Sequence, residues 1–192
     1  MFNEDNQEKS YRDETLEGAK IESLEFSDCT FEEMVFLDCS FLDSNFTDCV
    51  FTNCQFLNPR FAGTGFRSLT FNECRFIGAD FSNLNSMMLS FSLISCAVES
   101  SSFAELKLIK EKFDRTAFRQ CDFFKVNFNG SSFKECDFTE TTFEKVNLSS
   151  CDLRDAKNYT IDPANNYLKK GKFSYPEVIT LLDSFDITID GL

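Results

Sequence analysis

The sequence predicts an all-β fold, a parallel β-helix wound as a solenoid and closed at its C-terminal end by a helix. Three observations predict it. Twelve phenylalanines recur at every fifth residue from Phe26 to Phe81 without a miss. A small or apolar residue stands two places before nearly every one of them, and the remaining three positions are mostly polar. A period of five is neither the 3.6 of a helix nor the 2 of a simple strand, so it marks a repeat architecture. With the phenylalanine at position i, inward residues are separated alternately by two and by three. Two is one strand alternation, with both side chains on the same face. Three is a bend that re-aims the chain while two polar residues point outward. Such a chain winds into coils that pair edge to edge as short parallel strands.

Residues 1–14 are polar and charged and lack the repeat, which predicts a flexible arm or a short cap over the first coil. The repeat begins at Leu16 and Ile21 and holds through Phe81, spanning a first sub-solenoid over residues 15–95. The pattern then weakens: position 86 is Ser, and Met87, Met88 and Leu93 are apolar where polar residues are expected. Phe91 and Ile94 return to pattern, and a two-residue slip follows. A new register runs from Val98 and Phe103 to Leu148 and Leu153, which predicts a second sub-solenoid over residues 96–157 and a seam at 84–98. Met87, Met88 and Leu93 are read as marks of a distorted coil, with an adaptable partner site as the alternative. Glu111 breaks the rule by standing at an i−2 slot; either the wall opens there or Lys110 and Lys112 help it reach outward.

Residues 158–192 carry no repeat and are expected to form the cap. Asp162-Pro163 has the form of an N-cap before a proline, opening a short turn closed by Lys169-Lys170-Gly171. Ser174 and Glu177 have capping-box spacing. The helix they open places Val178, Leu181, Leu182 and Phe185 on one stripe, with Tyr175 and Ile179 off it. Ile187 and Ile189 alternate as a short final strand would. An open solenoid end needs covering, so this helix serves as cap, as dimer interface, or as both. The candidate dimer contacts are Tyr175, Val178, Ile179, Leu182 and Phe185, in a homodimer.

Composition excludes several functions. The chain has 192 residues, no His and no Trp, 9 Cys, and a formal net charge of −13. That charge argues against binding nucleic acid or an anionic membrane directly and favours basic partners. No apolar run has the length of a membrane span, and the polar, acidic start does not resemble a signal peptide. Cysteines without an export signal point to reduced thiols in the cytoplasm. All nine cysteines fall on the i−2 slot, so they are read as small core residues rather than metal ligands or disulfides. Without His, a phosphate-binding loop or a nucleophile set apart from the repeat, the chain is not expected to be an enzyme or to hold a cofactor or metal.

The acid is concentrated. Residues 1–50 hold fourteen acidic and three basic side chains, whereas the rest of the chain is near balance. Asp28, Glu33, Asp38, Asp43 and Asp48 occupy successive i+2 positions. They are either a phosphate-like display for a basic groove or a solubilising surface.

Units such as Cys39-Ser40-Phe41-Leu42-Asp43, Ala79-Asp80-Phe81-Ser82-Asn83 and Cys151-Asp152-Leu153-Arg154-Asp155 resemble the pentapeptide-repeat family over residues 15–157. The resemblance implies a right-handed quadrilateral parallel β-helix, four pentapeptides to a coil, with about seven coils. The two-part solenoid and the ending Ile161-Asp162-Pro163, Ser174-Tyr175-Pro176-Glu177 and Leu181-Leu182 resemble the Qnr quinolone-resistance and microcin-immunity branch. That likeness implies a non-catalytic mimic of B-form DNA that binds DNA gyrase or topoisomerase IV, protects it from a quinolone or toxin, and dimerises through its C-terminal helix. A protein-interaction scaffold with an unrelated partner is the competing reading. Loop insertions occur in several members of that branch, and here only the two-residue slip is inserted.

Overall fold

The computed structural model describes residues 2–3, 5–188 and 190, apart from the side chain of Asp5. The chain is a parallel β-solenoid of four faces. The first face stacks Asp5–Gln7, Glu25–Ser27, Asn45–Thr47 and Gly65–Arg67. It continues as single bridges at Asn85 and along Lys107, Asn127, Asn147 and Tyr167. The second face runs from Ser10–Arg12 to Phe91–Ile94 and on to Lys172–Phe173. The third runs from Thr15–Glu17 through Ala117–Arg119. The fourth is built mainly of bridges such as Lys20 to Ser40 to Arg60, and it ends with Asp122–Phe124 paired to Thr142–Glu144. Every pairing is parallel, most at an offset of twenty residues, so four five-residue units make one coil.

There are about eight coils, one more than the repeat count predicts, because both ends extend further than the pattern does. Residues 5–12 do not form part of an arm. Asp5–Gln7 and Ser10–Arg12 are the first strands of two faces. Asn6 and Tyr11 take the central slots, and both are buried. The buried Asn6 amide donates to Asn3 O at 2.7 Å and Glu25 O at 3.1 Å, and its Oδ1 accepts from the Tyr11 hydroxyl at 2.8 Å. Phe2 closes the end edge-on against Tyr11 and Phe26. A polar residue fits the central slot here because it is fully hydrogen-bonded. At the other end Asn166 and Leu168 continue the repeat: Asn166 Nδ2 donates to Phe143 O at 3.1 Å, twenty-three residues back.

The phenylalanine rings form inward ladders. Phe26 and Phe46 stack at 4.5 Å and 3°, Phe31 and Phe51 at 4.4 Å and 6°, and Phe56 and Phe76 at 4.7 Å and 4°. Successive rings within a coil meet edge-on, as Phe46 and Phe51 do at 5.8 Å and 61°. These are the two geometries that the ring quadrupole favours.

All nine cysteines are free and buried, as their register requires. Their slot has a further role that hydropathy did not reveal. The side chain at i−2 donates to the carbonyl of the central residue one coil earlier: Ser44 Oγ to Ile21 O at 2.8 Å, Thr64 Oγ1 to Phe41 O at 2.8 Å, Ser131 Oγ to Leu108 O at 2.7 Å. Thiols do the same more loosely, as Cys54 Sγ does to Phe31 O at 3.4 Å. The slot thus selects a small donor, which is why Cys, Ser and Thr share it. Burial pushes the Cys49, Cys121 and Cys151 thiols up to about 12.

The slip lies earlier than expected, before Phe91 rather than after Ile94. Asn85 still pairs with Gly65, but Leu69 pairs with Phe91 and Phe71 with Leu93. Leu93 is therefore the first central residue of the new register, and Phe91 fills an i−2 slot. The extra two residues are accommodated within 86–89, where Met87 and Met88 are extruded, 66% and 75% exposed. Strands pair directly across residues 84–98, so the coils on either side form one continuous stack. Glu111, which follows Phe91 in the same i−2 column, is half-buried. Burial raises its carboxyl above the ordinary value, against a hydrogen bond from Ser90 that lowers it.

The capping helix, Glu177–Phe185, is a 3₁₀-helix rather than an α-helix. Ser174 and Glu177 do not form a capping box. Pro176 is the N-cap and offers no side-chain acceptor, while Ser174 Oγ accepts from Asp155 N and Glu177 Oε1 from Asn158 N, tying the helix to the last coil. Asp162 does open a turn, its Oδ1 accepting from Ala164 N at 2.9 Å. Ile187 is exposed and outside any strand, and Ile189 lies outside the described residues.

Candidate interaction surface

The left-handed backbone decides where the acidic side chains stand. The i+2 residue of almost every unit has a positive φ and forms a corner between faces. Asp28, Glu33, Asp38, Asp43 and Asp48 have φ of 53°, 55°, 52°, 56° and 52°. Asp, Asn and Gly tolerate this region best, so part of the reason for Asp at these positions is the corner itself. All five are exposed.

Four corners make one turn, so the five do not share one face. Asp28 and Asp48 stack in one edge column, joined below by Glu8. Glu33 stacks on Asp13 at the next edge, and their mutual hydrogen bond and repulsion raise the Glu33 carboxyl above its ordinary value. Asp38 lies on the third edge, where its Oδ1 accepts from Asn58 Nδ2 at 3.2 Å. Asp43 lies on the fourth, its Oδ1 so close over Gly63 that a Cβ there would sit 2.1 Å away. The densest acid therefore frames the N-terminal part of the second face, between the Glu8–Asp28–Asp48 edge and the Asp13–Glu33 edge. Glu32 lies between them but is paired with Arg12. Counting back in fives from Asp28 would have found Asp13 and Glu8; reading 1–14 as an arm hid them.

The C-terminal candidates fall into two groups. At three residues per turn, side chains three apart eclipse. Ile179, Leu182 and Phe185 thus form a single column. Leu182 and Phe185 are 36% and 55% exposed, and Tyr175 beside them is 70% exposed. Val178 is half-buried, and Leu181 packs on the core. The tighter helix splits the expected stripe and aligns Ile179, half-buried like Val178, with the exposed Leu182 and Phe185. Under the helix, Tyr159 is buried with its hydroxyl unpaired; burial, with the nearby Glu177 charge, lifts its pKa to about 12. Among the described residues, no helix is long and apolar enough to cross a membrane, and no group of three or more His, Cys, Asp or Glu is placed to hold a metal ion.

Residues 112–157 match the pentapeptide-repeat family profile with eight copies, and residues 1–81 match that of the SV2A/B/C luminal domain. No curated protein sequence matches the chain. Among solved structures, full-length QnrB1, a plasmid-mediated fluoroquinolone resistance protein, superposes with a TM-score of 0.71 at 19% identity, covering 93% of this chain and 100% of that one. A trypsin-treated form gives 0.70 at 17%, covering 97% and 100%. HetL, a pentapeptide-repeat protein of heterocyst regulation from the cyanobacterium Nostoc, gives 0.42 at 12%, covering 88% and 86%. The likeness to QnrB1 is one of fold. Along its length the chain has the pentapeptide-repeat fold, and over residues 112–157 its sequence matches the profile of that family.

Proposed function

We propose that the protein is a non-catalytic acidic rod that binds a type II DNA topoisomerase, DNA gyrase or topoisomerase IV, in place of DNA. By doing so it shields the enzyme from a quinolone or a peptide toxin. The observation that carries this reading is the set of exposed corner carboxylates, Asp28, Glu33, Asp38, Asp43 and Asp48, on a fold that matches QnrB1 from end to end. Carboxylates held at fixed intervals by a stiff core present negative charge to a basic groove without an ordering cost. A cytoplasmic location and reduced thiols accompany this reading. So does a homodimer formed through the exposed Tyr175 and the Ile179–Leu182–Phe185 column, joined by the half-buried Val178.

The test is gyrase supercoiling with purified protein, with and without a quinolone. Wild-type protein is expected to alter supercoiling or rescue it from the drug. The variant Asp28→Asn, Glu33→Gln, Asp38→Asn, Asp43→Asn, Asp48→Asn keeps side chains that the corners tolerate but removes five charges, and it is expected to lose the effect. Wild-type protein that neither binds, inhibits nor rescues gyrase or topoisomerase IV refutes the proposal.

A second reading, a scaffold for an unrelated partner, is favoured by the exposed Met87 and Met88. On that reading the five neutralising changes leave partner binding intact, and Met87→Ser with Met88→Ser abolishes it.

A further inference from the structure

The ladder of the first face is interrupted at one place. On the coils to either side, the N–H of the residue before the central one donates to the preceding coil: Gly65 N to Ser44 O at 2.8 Å, Asn85 N to Thr64 O at 2.9 Å, Asn127 N to Leu106 O at 2.8 Å and Asn147 N to Val126 O at 2.9 Å. Lys107 is the equivalent residue between them. It bridges onward to Asn127 but not back to Asn85. Among the described residues, neither the Lys107 N–H nor the Leu84 carbonyl that the pattern pairs with it has a partner. Ser86 holds the central position of the preceding coil, between the buried Phe66 and Leu108, yet it is exposed. The insertion is the cause: Asn85 Oδ1 accepts from Met87 N at 2.9 Å and turns the chain out, and Met87 and Met88 carry it away from the wall. A cavity of about 440 Å³ opens there. The buried Leu84 and Leu106 and the half-buried Leu89 line it, with Ser86, Glu105 and Lys107 among its polar residues.

An apolar enclosure with a few polar groups is the usual composition of a small-molecule site, and the groups left without partners decide what it takes. Glu105 is engaged by Lys125, Nζ to Oε1 at 3.2 Å. Lys107 has no ion-pair partner among the described residues. Its N–H points toward the preceding coil, as its equivalents do, and so into the gap. Three open donors, the Lys107 ammonium, the Lys107 N–H and the Ser86 hydroxyl, thus stand against one open carbonyl, that of Leu84. That balance selects a ligand head that is negatively charged and only accepts. We propose that this cavity binds an amphiphilic carboxylate. Its apolar chain lies against Leu84, Leu89 and Leu106, and its carboxylate accepts a charge-assisted bond from Lys107 Nζ and a second bond from Lys107 N. An amine head would meet the free ammonium of Lys107 and find Glu105 already paired. The site uses none of the corner acids, and it goes beyond the topoisomerase reading without resting on it.

Titration of isotopically labelled protein with octanoate, followed by NMR, tests the site with no other protein present. Octanoate is expected to shift the Lys107 amide and the Leu84, Leu89 and Leu106 methyl resonances and to saturate. Acetate, which lacks the chain, and octyltrimethylammonium, which lacks the acceptor, are expected to leave them unmoved. Lys107→Gln keeps the backbone donor and removes the charge; it is expected to weaken octanoate binding about tenfold or more and to leave octanol binding unchanged. Deleting Met87 and Met88 restores an unbroken five-residue register from Ser86 to Leu93. The shortened chain is therefore expected to fold, to close the ladder between Leu84 and Lys107, and to lose octanoate binding. Met87→Ser/Met88→Ser keeps the insertion and is expected to bind octanoate as wild type does, which separates the cavity from adsorption on exposed methionine. No saturable binding by wild type overturns the proposal, as do shifts confined to the Ile179–Leu182–Phe185 column. So do unchanged affinity in Lys107→Gln, retention of binding after the deletion, and loss of binding in the serine pair.

Discussion

Phe51 offers the clearest measure of what the ring ladder contributes. Its ring is 2% exposed, between Phe31 at 4.4 Å and 6° and Phe71 at 4.8 Å and 18°, with Phe46 and Phe56 edge-on at 5.8 Å and 5.6 Å. Replacing it with leucine keeps an apolar side chain of similar size and removes the ring. The two stacked pairs are each worth about 0.5–1.5 kcal/mol beyond burial, so Phe51→Leu is expected to cost roughly 1–3 kcal/mol through those pairs. Phe51→Ala adds the cavity and is expected to cost about 3–5 kcal/mol. Urea unfolding followed by circular dichroism reads both as shifts in midpoint at constant slope. Phe124 is the control: it stands at an outward position and carries Lys125 over its ring at 4.7 Å. Phe124→Leu is expected to stay within about 1 kcal/mol. If Phe51→Leu costs no more than Phe124→Leu, stacking along the column contributes nothing measurable and the reasoning fails.

Three further outcomes are expected. Glu111 has a folded pKa raised by burial, so its favourable contribution is fully present below the unfolded value of about 4.5 and is lost as pH rises through the folded value. Glu111→Gln should therefore gain stability relative to wild type from acid to neutral pH, measured as the difference in urea midpoint across that range; a constant difference would refute the burial. Tyr159 has a buried hydroxyl without a partner, and Tyr159→Phe is expected to stabilise the end of the solenoid by about 1 kcal/mol in thermal or urea unfolding. The nine buried thiols, several with pKa near 12, should be silent to a chromogenic disulfide at neutral pH in the folded protein and all react once it is unfolded.

The five-residue spacing was enough to specify a coiled solenoid, the inward place of Phe26 to Phe81 and of every cysteine, and the outward place of the corner acids; four units to a coil came from the family resemblance. The spacing was enough because burial is decided by local alternation, and every unit repeats the same decision. The chain's ends were less legible. Asn6 and Tyr11 break the composition of the central slot, and only the partners Asn3, Glu25 and Phe2, brought in by folding, make a buried asparagine acceptable there. The slip was visible in sequence but not its position, because Phe91 fits either slot by hydropathy; its pairing with Leu69 decides the matter. The helix was legible as apolar, but its tightening to three residues per turn, which sends Ile179, Leu182 and Phe185 to one side, was not.

The sequence by itself determined a repeat, a core and a quantity of charge. Only the tertiary structure decided which charges are neighbours. Residues twenty apart stack and residues five apart turn away, so the consecutive acids from Asp28 to Asp48 disperse around the solenoid. Glu8, Asp28 and Asp48 align instead, on one edge. Winding converts distance along the chain into height on an edge, and that conversion depends on the coil's period and on where its one insertion falls.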